Sequence, residues 1–433
     1  MPHQPTRRDV LRAGAATGLG LLVGPSAFAL STRKDPIRFA IVGVAGRGGA
    51  NLQSAAAAGK VVALCDVDAQ HIAKAVVQYP DANTYTDFRV MLESMGNEID
   101  AVVVSTPDHT HAVAAAAAMK MGKHVYCEKP LSRTIGEARK LTALARSSRV
   151  ATQMGNQGTA GIHLKRSAAL IKSGAFGAVK EVHCWTDRAG GWWPQGVPRP
   201  EIKLRPRHVD FELWLGPSPN RAYSQGYHPF AWRGWWDFGS GALGDIGCHC
   251  MNLPFAALDL RDPIAVQATT SGHNRDSFPS WSIVKYEFGA RSGRGPVALS
   301  WYDGGKVPPQ DIAGNLKLAP NGCLIVCDNA TLYSAGEYGG EAVLVSGETM
   351  PTIEVEESPG HFAEFVDMIN GTRRAGSNIA DYSGALTETV LLGNLAVWAD
   401  GPRLEWDSRN MRVKGAPEYD ALISPEPRYG WEF

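Results

Sequence analysis

Residues 37–49 read I-R-F-A-I-V-G-V-A-G-R-G-G, and how this stretch is parsed decides the fold. A short, mainly apolar run, 37–42, ends abruptly in glycine, and the alanine-rich segment 49–58 follows. That order reads as a buried strand breaking into a tight turn and then a helix. Parsed as G-x-G-x-x-G, the turn has Gly43 first and Gly48 third, with Ala45 in the middle slot and Gly46 and Arg47 between. The first position must turn sharply, the second must let backbone approach a pyrophosphate, and the third must pack helix on strand. The amino end of the helix then presents N–H groups to the phosphates. A glycine motif alone is weak; the strand before it and the helix after it make it informative. Asp66 closes the next apolar run, 23 residues past Gly43. A carboxylate there accepts hydrogen bonds from both ribose hydroxyls and repels a 2′-phosphate, which favours NAD over NADP. The bland alternative for Asp66 is to cap the helix starting at 69, a role that Asp68 serves equally well.

Outward from this unit, strand-like runs at 37–42, 61–66, 101–106, 124–127 and 150–154 alternate with helical segments at 49–58, 69–79, 111–121 and 134–148. Alternation at that spacing predicts an α/β, doubly wound parallel sheet, a Rossmann domain over 37–157. After about residue 158 the texture changes. A helix at 162–173 leads into β-like runs at 179–187, 264–270, 281–288, 297–302, 323–327 and 342–345, with helices at 243–258, 361–369 and 385–398. This predicts a second, α+β domain over 158–433, built on a large, mostly antiparallel sheet.

Two motifs fall at the carboxyl ends of parallel strands, where open α/β sheets bind ligands. One is Thr106-Pro107-Asp108-His109-Thr110-His111; the other is Glu128-Lys129-Pro130. Further on, Asp245 and His249 stand four apart, so a helix puts them on one face. Oxidising a secondary alcohol needs a base for the hydroxyl proton, and a histidine suits it. A lysine ammonium can hold the developing alkoxide. The bland readings are a surface lysine before a turn, a helix-capping aspartate and a core histidine.

With these residues in place the chain resembles the Gfo/Idh/MocA (glucose–fructose oxidoreductase/inositol dehydrogenase) family, from residue 37 to the end of the second domain. The resemblance implies that Lys129 of the E-K-P motif is the cationic catalytic residue and that Asp245 and His249 complete the site. It also implies a nicotinamide cofactor held by the 43–48 turn, Asp66, Thr106, Pro107, His109, His111, Glu128 and Lys129. Ala45 departs from the family's glycine fingerprint.

The triplet Cys248-His249-Cys250 invites a zinc reading, but adjacent helical residues diverge by about 100° and cannot converge on one ion. We therefore expect no metal. Around it lies a tract rich in Trp, Pro and Gly. Tyr227, Arg233, Trp235 and Trp236 in that tract, with Asn156 and His163, are candidates for a sugar-binding wall, since aromatic faces match sugar C–H surfaces. An aromatic core under a long loop is the other reading.

Forty-three basic and 43 acidic residues leave zero net charge with no basic block, so nucleic acid and anionic membranes have no footprint. Arg7-Arg8, an apolar stretch at 13–22 and Ala27-Phe28-Ala29 predict a twin-arginine signal over 1–29 and an exported, periplasmic protein with no membrane contact in its mature form. A membrane anchor is the alternative, but the stretch is too short and glycine-diluted to span. Seven cysteines are present, and we assign no disulfide. Export makes a freely exchanging NAD unworkable. The leading expectation is thus an oxidoreductase acting on a secondary hydroxyl of a sugar, glycoside or cyclitol with tightly bound, recycled cofactor, assembled as a homo-oligomer. The alternatives are a redox-neutral, NAD-dependent glycoside hydrolase and a non-catalytic sugar-binding protein.

Overall fold

Strand β1 (Ile37–Val42) is almost wholly buried and lies in the middle of a six-stranded parallel sheet. Its companions are β2 (Gly59–Cys65), β3 (Asn83–Tyr85), β4 (Ala101–Val104), β5 (His124–Cys127) and β6 (Thr152–Met154), in the order β3-β2-β1-β4-β5-β6. The chain thus reverses its winding between β1 and β4. A crevice opens there at the strand ends, because the two connections leave in opposite directions. The structure is a computed structural model and describes residues 35–188, 191–291 and 293–433; the expected signal segment lies outside the described residues.

Local sequence explains most of these elements. β4, Ala-Val-Val-Val, is buried at every position, as a strand covered on both faces must be. The helix Ile135–Ser148 starts on a full capping box, with the Thr134 side chain accepting from the Glu137 N–H and the Glu137 carboxylate accepting from the Thr134 N–H. The helix Asp108–Lys120 begins three residues earlier than the sequence pattern indicates, since Pro107 at its cap presets the entry. The short strand β3 and the helix Phe88–Met95 after it were not foreseen. β3 is only three residues long and carries no apolar alternation.

The second sheet has nine strands: β7 (Val179–Thr186), β8 (Ala265–Thr270), β9 (Ser282–Phe288), β10 (Val297–Tyr302), β11 (Asn321–Cys327), β12 (Thr331–Ala335), β13 (Ala342–Leu344), β14 (Leu404–Asp407) and β15 (Arg412–Val413). Their order is β13-β12-β11-β7-β10-β9-β8-β14-β15, and among the described residues β7–β10 is the one parallel pair of this second sheet. One face packs on helices Gly241–Cys250 and Gly384–Ala399. The helix expected over 243–258 breaks in two, Gly241–Cys250 and Asn252–Leu258, around Met251. Late in the chain, Phe365 of the helix His361–Ile369 is fully buried in the core under the first sheet, beside Tyr126. Among the described residues no helix is long and apolar enough to cross a membrane.

Candidate active site

A cavity of about 530 Å³ opens at the β1/β4 crevice and reaches across to the second half of the chain. One wall is the turn after β1. Gly43 holds φ +85°, and a Cβ there would stand 2.6 Å from the Ser105 carbonyl oxygen. Gly48 lies so close to the Gly43 carbonyl that any side chain would collide with it. Gly46 is also left-handed, φ +56°, but a Cβ on it would meet nothing within 4 Å, so this position faces open space. The helix Arg47–Ala58 begins here with no side-chain cap, leaving its amino end free for an anion. Asp66 sits beside the turn, its Oδ2 accepting the Val44 N–H at 3.0 Å, while Asp68 takes the cap of the next helix. Tight packing at the first and third glycines with an open Gly46 is a cradle that fits a dinucleotide. Ala45, Gly46, Arg47, Asp66, Thr106 and Pro107 line it.

Across the crevice, β5 delivers Glu128 and Lys129. The Glu128 carboxylate accepts from Arg47 Nε at 3.0 Å and Asn51 Nδ2 at 2.9 Å. Gly155 presses against it: a Cβ at 155 would lie 2.5 Å from the carboxylate. His111 braces the Lys129–Pro130 turn, with one ring nitrogen 2.7 Å from the Pro130 carbonyl and the other 2.7 Å from the Thr106 carbonyl.

Lys129 Nζ donates to the Asp245 carboxylate Oδ1 at 2.8 Å and to the Asp245 carbonyl at 2.5 Å, linking the two halves of the chain through their candidate catalytic residues. Arg233 Nε donates to the same Oδ1 at 3.2 Å. Burial pushes the Asp245 carboxyl up, but Lys129 and Arg233 outweigh it and hold the group well below the usual carboxylate range. Asp245 is therefore a fixed anion. One turn along the same helix, burial and then the Lys129 charge hold His249 well below the ordinary imidazole value. Its Nδ1 is buried with no hydrogen-bond partner. A neutral imidazole with an unspent nitrogen, in a cavity also lined by a lysine cation, has the make-up of a proton acceptor.

Several expected site residues lie elsewhere. Tyr227 and Trp235 are 3% and 1% exposed and belong to an aromatic core with Phe211, Trp214 and Phe238. Trp236 stacks on Phe278 and meets Trp398 edge-on. The core reading of that tract is the right one for these three, because the loop's aromatics need cover from water before any ligand does. Asn156 is fully buried, bonded to Ser377 and Asn252. His163 projects from its helix as an exposed residue outside the cavity. His109 does not reach the cavity either; its ring nitrogens sit 3.1 Å from the Phe238 carbonyl and 2.7 Å from the Trp214 carbonyl. Arg233 remains at the wall, its guanidinium 4.1 Å from the Trp232 ring.

The sequence pattern missed the far wall. Arg188, Trp192 and Trp193 come from the loop after β7, and Glu337 and Tyr338 from the turn after β12. Arg188 stacks over Trp192 at 3.8 Å and pairs with Glu337 at 2.9 Å, and the Tyr338 ring stands 4.8 Å from His249. The Arg188–Trp192 spacing was a local signal; Tyr338 carried none.

The profile of an oxidoreductase family with an NAD-binding Rossmann fold matches residues 37–156, and that of the family's C-terminal alpha/beta domain matches 161–293. A protein of Solibacter usitatus named glycosyl hydrolase family 109 protein is 34% identical over 152 residues, 30% of this chain and 34% of the relative. The levoglucosan dehydrogenase of Pseudarthrobacter phenanthrenivorans is 26% identical over 201 residues, 45% of this chain and 41% of its own. These matches span well under half of either relative. The WlbA dehydrogenase of Bordetella pertussis, solved with NADH and UDP-GlcNAcA, superposes with a TM-score of 0.59 at 16% identity, covering 86% of this chain and 99% of that one. At that identity the likeness is one of fold.

Proposed function

The chain belongs to the Gfo/Idh/MocA oxidoreductase family, and from that premise we propose that it is an NAD-dependent dehydrogenase acting on a secondary hydroxyl of a sugar, glycoside or cyclitol. The observation that carries the reading is the meeting of Lys129, Asp245 and His249 in one cavity with the glycine cradle of the NAD-binding domain. When bound, NAD supplies the hydride acceptor, held by the 43–48 turn, Asp66 and the Thr106-Pro107 turn. His249 takes the hydroxyl proton, since burial keeps it neutral. Lys129 steadies the negative charge growing on the same oxygen, and Asp245 holds Lys129 in place. Arg188, Trp192, Trp193 and Tyr338 replace the expected Tyr227 and Trp235 as the wall that selects the substrate.

Export through the twin-arginine route, retention and recycling of the cofactor, and assembly with copies of itself belong to the same proposal; the Arg7-Arg8 signal supports the first and makes the second necessary. The kinship with a glycosyl hydrolase family 109 protein favours one second reading. In it, oxidation acidifies a neighbouring C–H, the glycosidic bond is eliminated, water adds, and the hydride returns. Mass spectrometry of the small molecule released on denaturing the purified protein tests the first reading, which expects NAD(H). Glycoside cleavage in deuterium oxide separates the two: deuterium retained on a ring carbon of the product identifies the hydrolase, and a ketone product without cleavage identifies the dehydrogenase.

A further inference from the structure

We propose that Asp68, His71 and His228 form a binding site for a divalent first-row transition metal, which staples the aromatic tract of the second half to the NAD-binding half beside Asp66. The donor atoms of the three residues all lie within 4.8 Å of one another. His228 Nε2 stands 3.1 Å from Asp68 Oδ2, and His71 Nε2 stands 3.7 Å from Asp68 Oδ2. Donors around a tetrahedral ion with bonds of about 2.0–2.1 Å are roughly 3.3 Å apart, so the two Asp68 pairs already stand near that spacing, and the two histidines, whose donors lie within 4.8 Å of each other, draw together onto the ion when it binds.

A plain hydrogen-bond network explains part of this cluster but not all of it. At 3.7 Å the His71 nitrogen points at Asp68 from beyond hydrogen-bond range. The other His71 nitrogen, Nδ1, lies 3.3 Å from Asp66 Oδ1, the carboxylate–histidine pairing that turns the free nitrogen toward an ion. Asp68 is held likewise: Oδ1 accepts the Gln70 N–H at 2.9 Å and faces His208 Nδ1 at 2.8 Å, leaving Oδ2 for the cluster. Two imidazoles and a carboxylate suit zinc, cobalt or iron(II), and three protein ligands leave a position for water. Asp68 is 4% exposed, while His71 and His228 both line the cavity, so an ion can enter from that side. The staple would reinforce backbone links already present, Ala69 N–H to the His208 carbonyl at 2.8 Å and Asp210 N–H to the Val67 carbonyl at 2.9 Å.

The test is calorimetric titration of zinc into full-length, untagged protein stripped with chelator, with melting curves alongside. It depends on no cofactor or substrate, so its outcome is independent of the dehydrogenase reading. Stoichiometric zinc binding with a raised melting temperature is expected. His71→Ala and His228→Ala should each abolish it, and His208→Ala should weaken it about 10- to 100-fold. His163→Ala, remote from the cluster, should bind as the parent does. If either ligand variant fails to fold, His71→Gln or His228→Gln replaces it. Folded parent protein that takes up no zinc overturns the proposal, as does binding unchanged in both ligand variants.

Discussion

Lys129 carries two electrostatic duties at once: with Arg233 it neutralises the buried Asp245 carboxylate, and it adds to the burial that holds His249 uncharged. Lys129→Met removes the cation and keeps the stem. Its kcat should fall about 10²- to 10³-fold, the scale of losing one preorganised charge contact. The same change predicts a pH effect with a definite sign. His249 is held low by burial and then by Lys129, so the acid limb of kcat/KM should lie below the ordinary imidazole value of about 6.5. Removing the cation should move whatever activity remains to a higher-pH limb. A limb that stays put, measured from pH profiles of both proteins, would show that a different group accepts the proton.

At the scale of elements, the glycine turns divide into those that pack and those that face the ligand. In Gly155→Ala the new methyl would strike the Glu128 carboxylate and push it off Arg47 and Asn51, so this variant should lose stability and cofactor affinity together. Gly46→Ala meets no protein atom; it should lose about 1–3 kcal/mol for an alanine held at φ +56°, ψ −122°, while weakening NAD binding more than the fold. Melting curves and fluorescence titration of NADH on both variants check this contrast. The first sheet apart from β3 was legible because its strands follow mainly apolar runs that stop at glycine, proline or polar residues, and the chemistry-bearing residues sit at those stops; β3, Asn-Thr-Tyr, offers no such run. Lys129 could be found because it sits at such a stop, and Asp245 and His249 because a spacing of four puts them on one face of a helix. The substrate wall could not. Whether a tryptophan covers a core or faces a cavity is decided by what packs over it, and Tyr227, Trp235 and Trp193 look alike in one dimension. The Asp68–His71–His228 cluster was invisible too, since its members lie up to 160 residues apart.

For the molecule as a whole, the two sheets are joined by buried polar pegs as well as by apolar packing. His109, on the helix after β4, reaches the Trp214 and Phe238 carbonyls of the second half, and burial pushes it down to about 4. Its folded value lies below the unfolded one of about 6.5, so the stability it contributes is present above pH 6.5 and is lost as pH falls toward 4. Asp303, pushed up to about 6 by burial, works in the opposite sense over the same range, so the informative quantity is a difference. Relative to His109→Gln, the parent should lose on the order of 3 kcal/mol of unfolding free energy between pH 7 and 4, read from denaturant melts. Parallel pH curves for the two proteins would mean that His109 is charged in the fold.

In the proposed mechanism a lysine and a histidine from opposite halves of the chain serve one hydride transfer. The most direct measurement is the growth of the reduced-nicotinamide absorbance when protein loaded with oxidised NAD is mixed rapidly with sugars and cyclitols, each unlabelled and deuterated at the reacting carbon. A signal with at least one of them is expected, slowed by the deuterium and lost in both Lys129→Ala and His249→Ala while NAD stays bound. A signal of parental rate in either variant would contradict that mechanism.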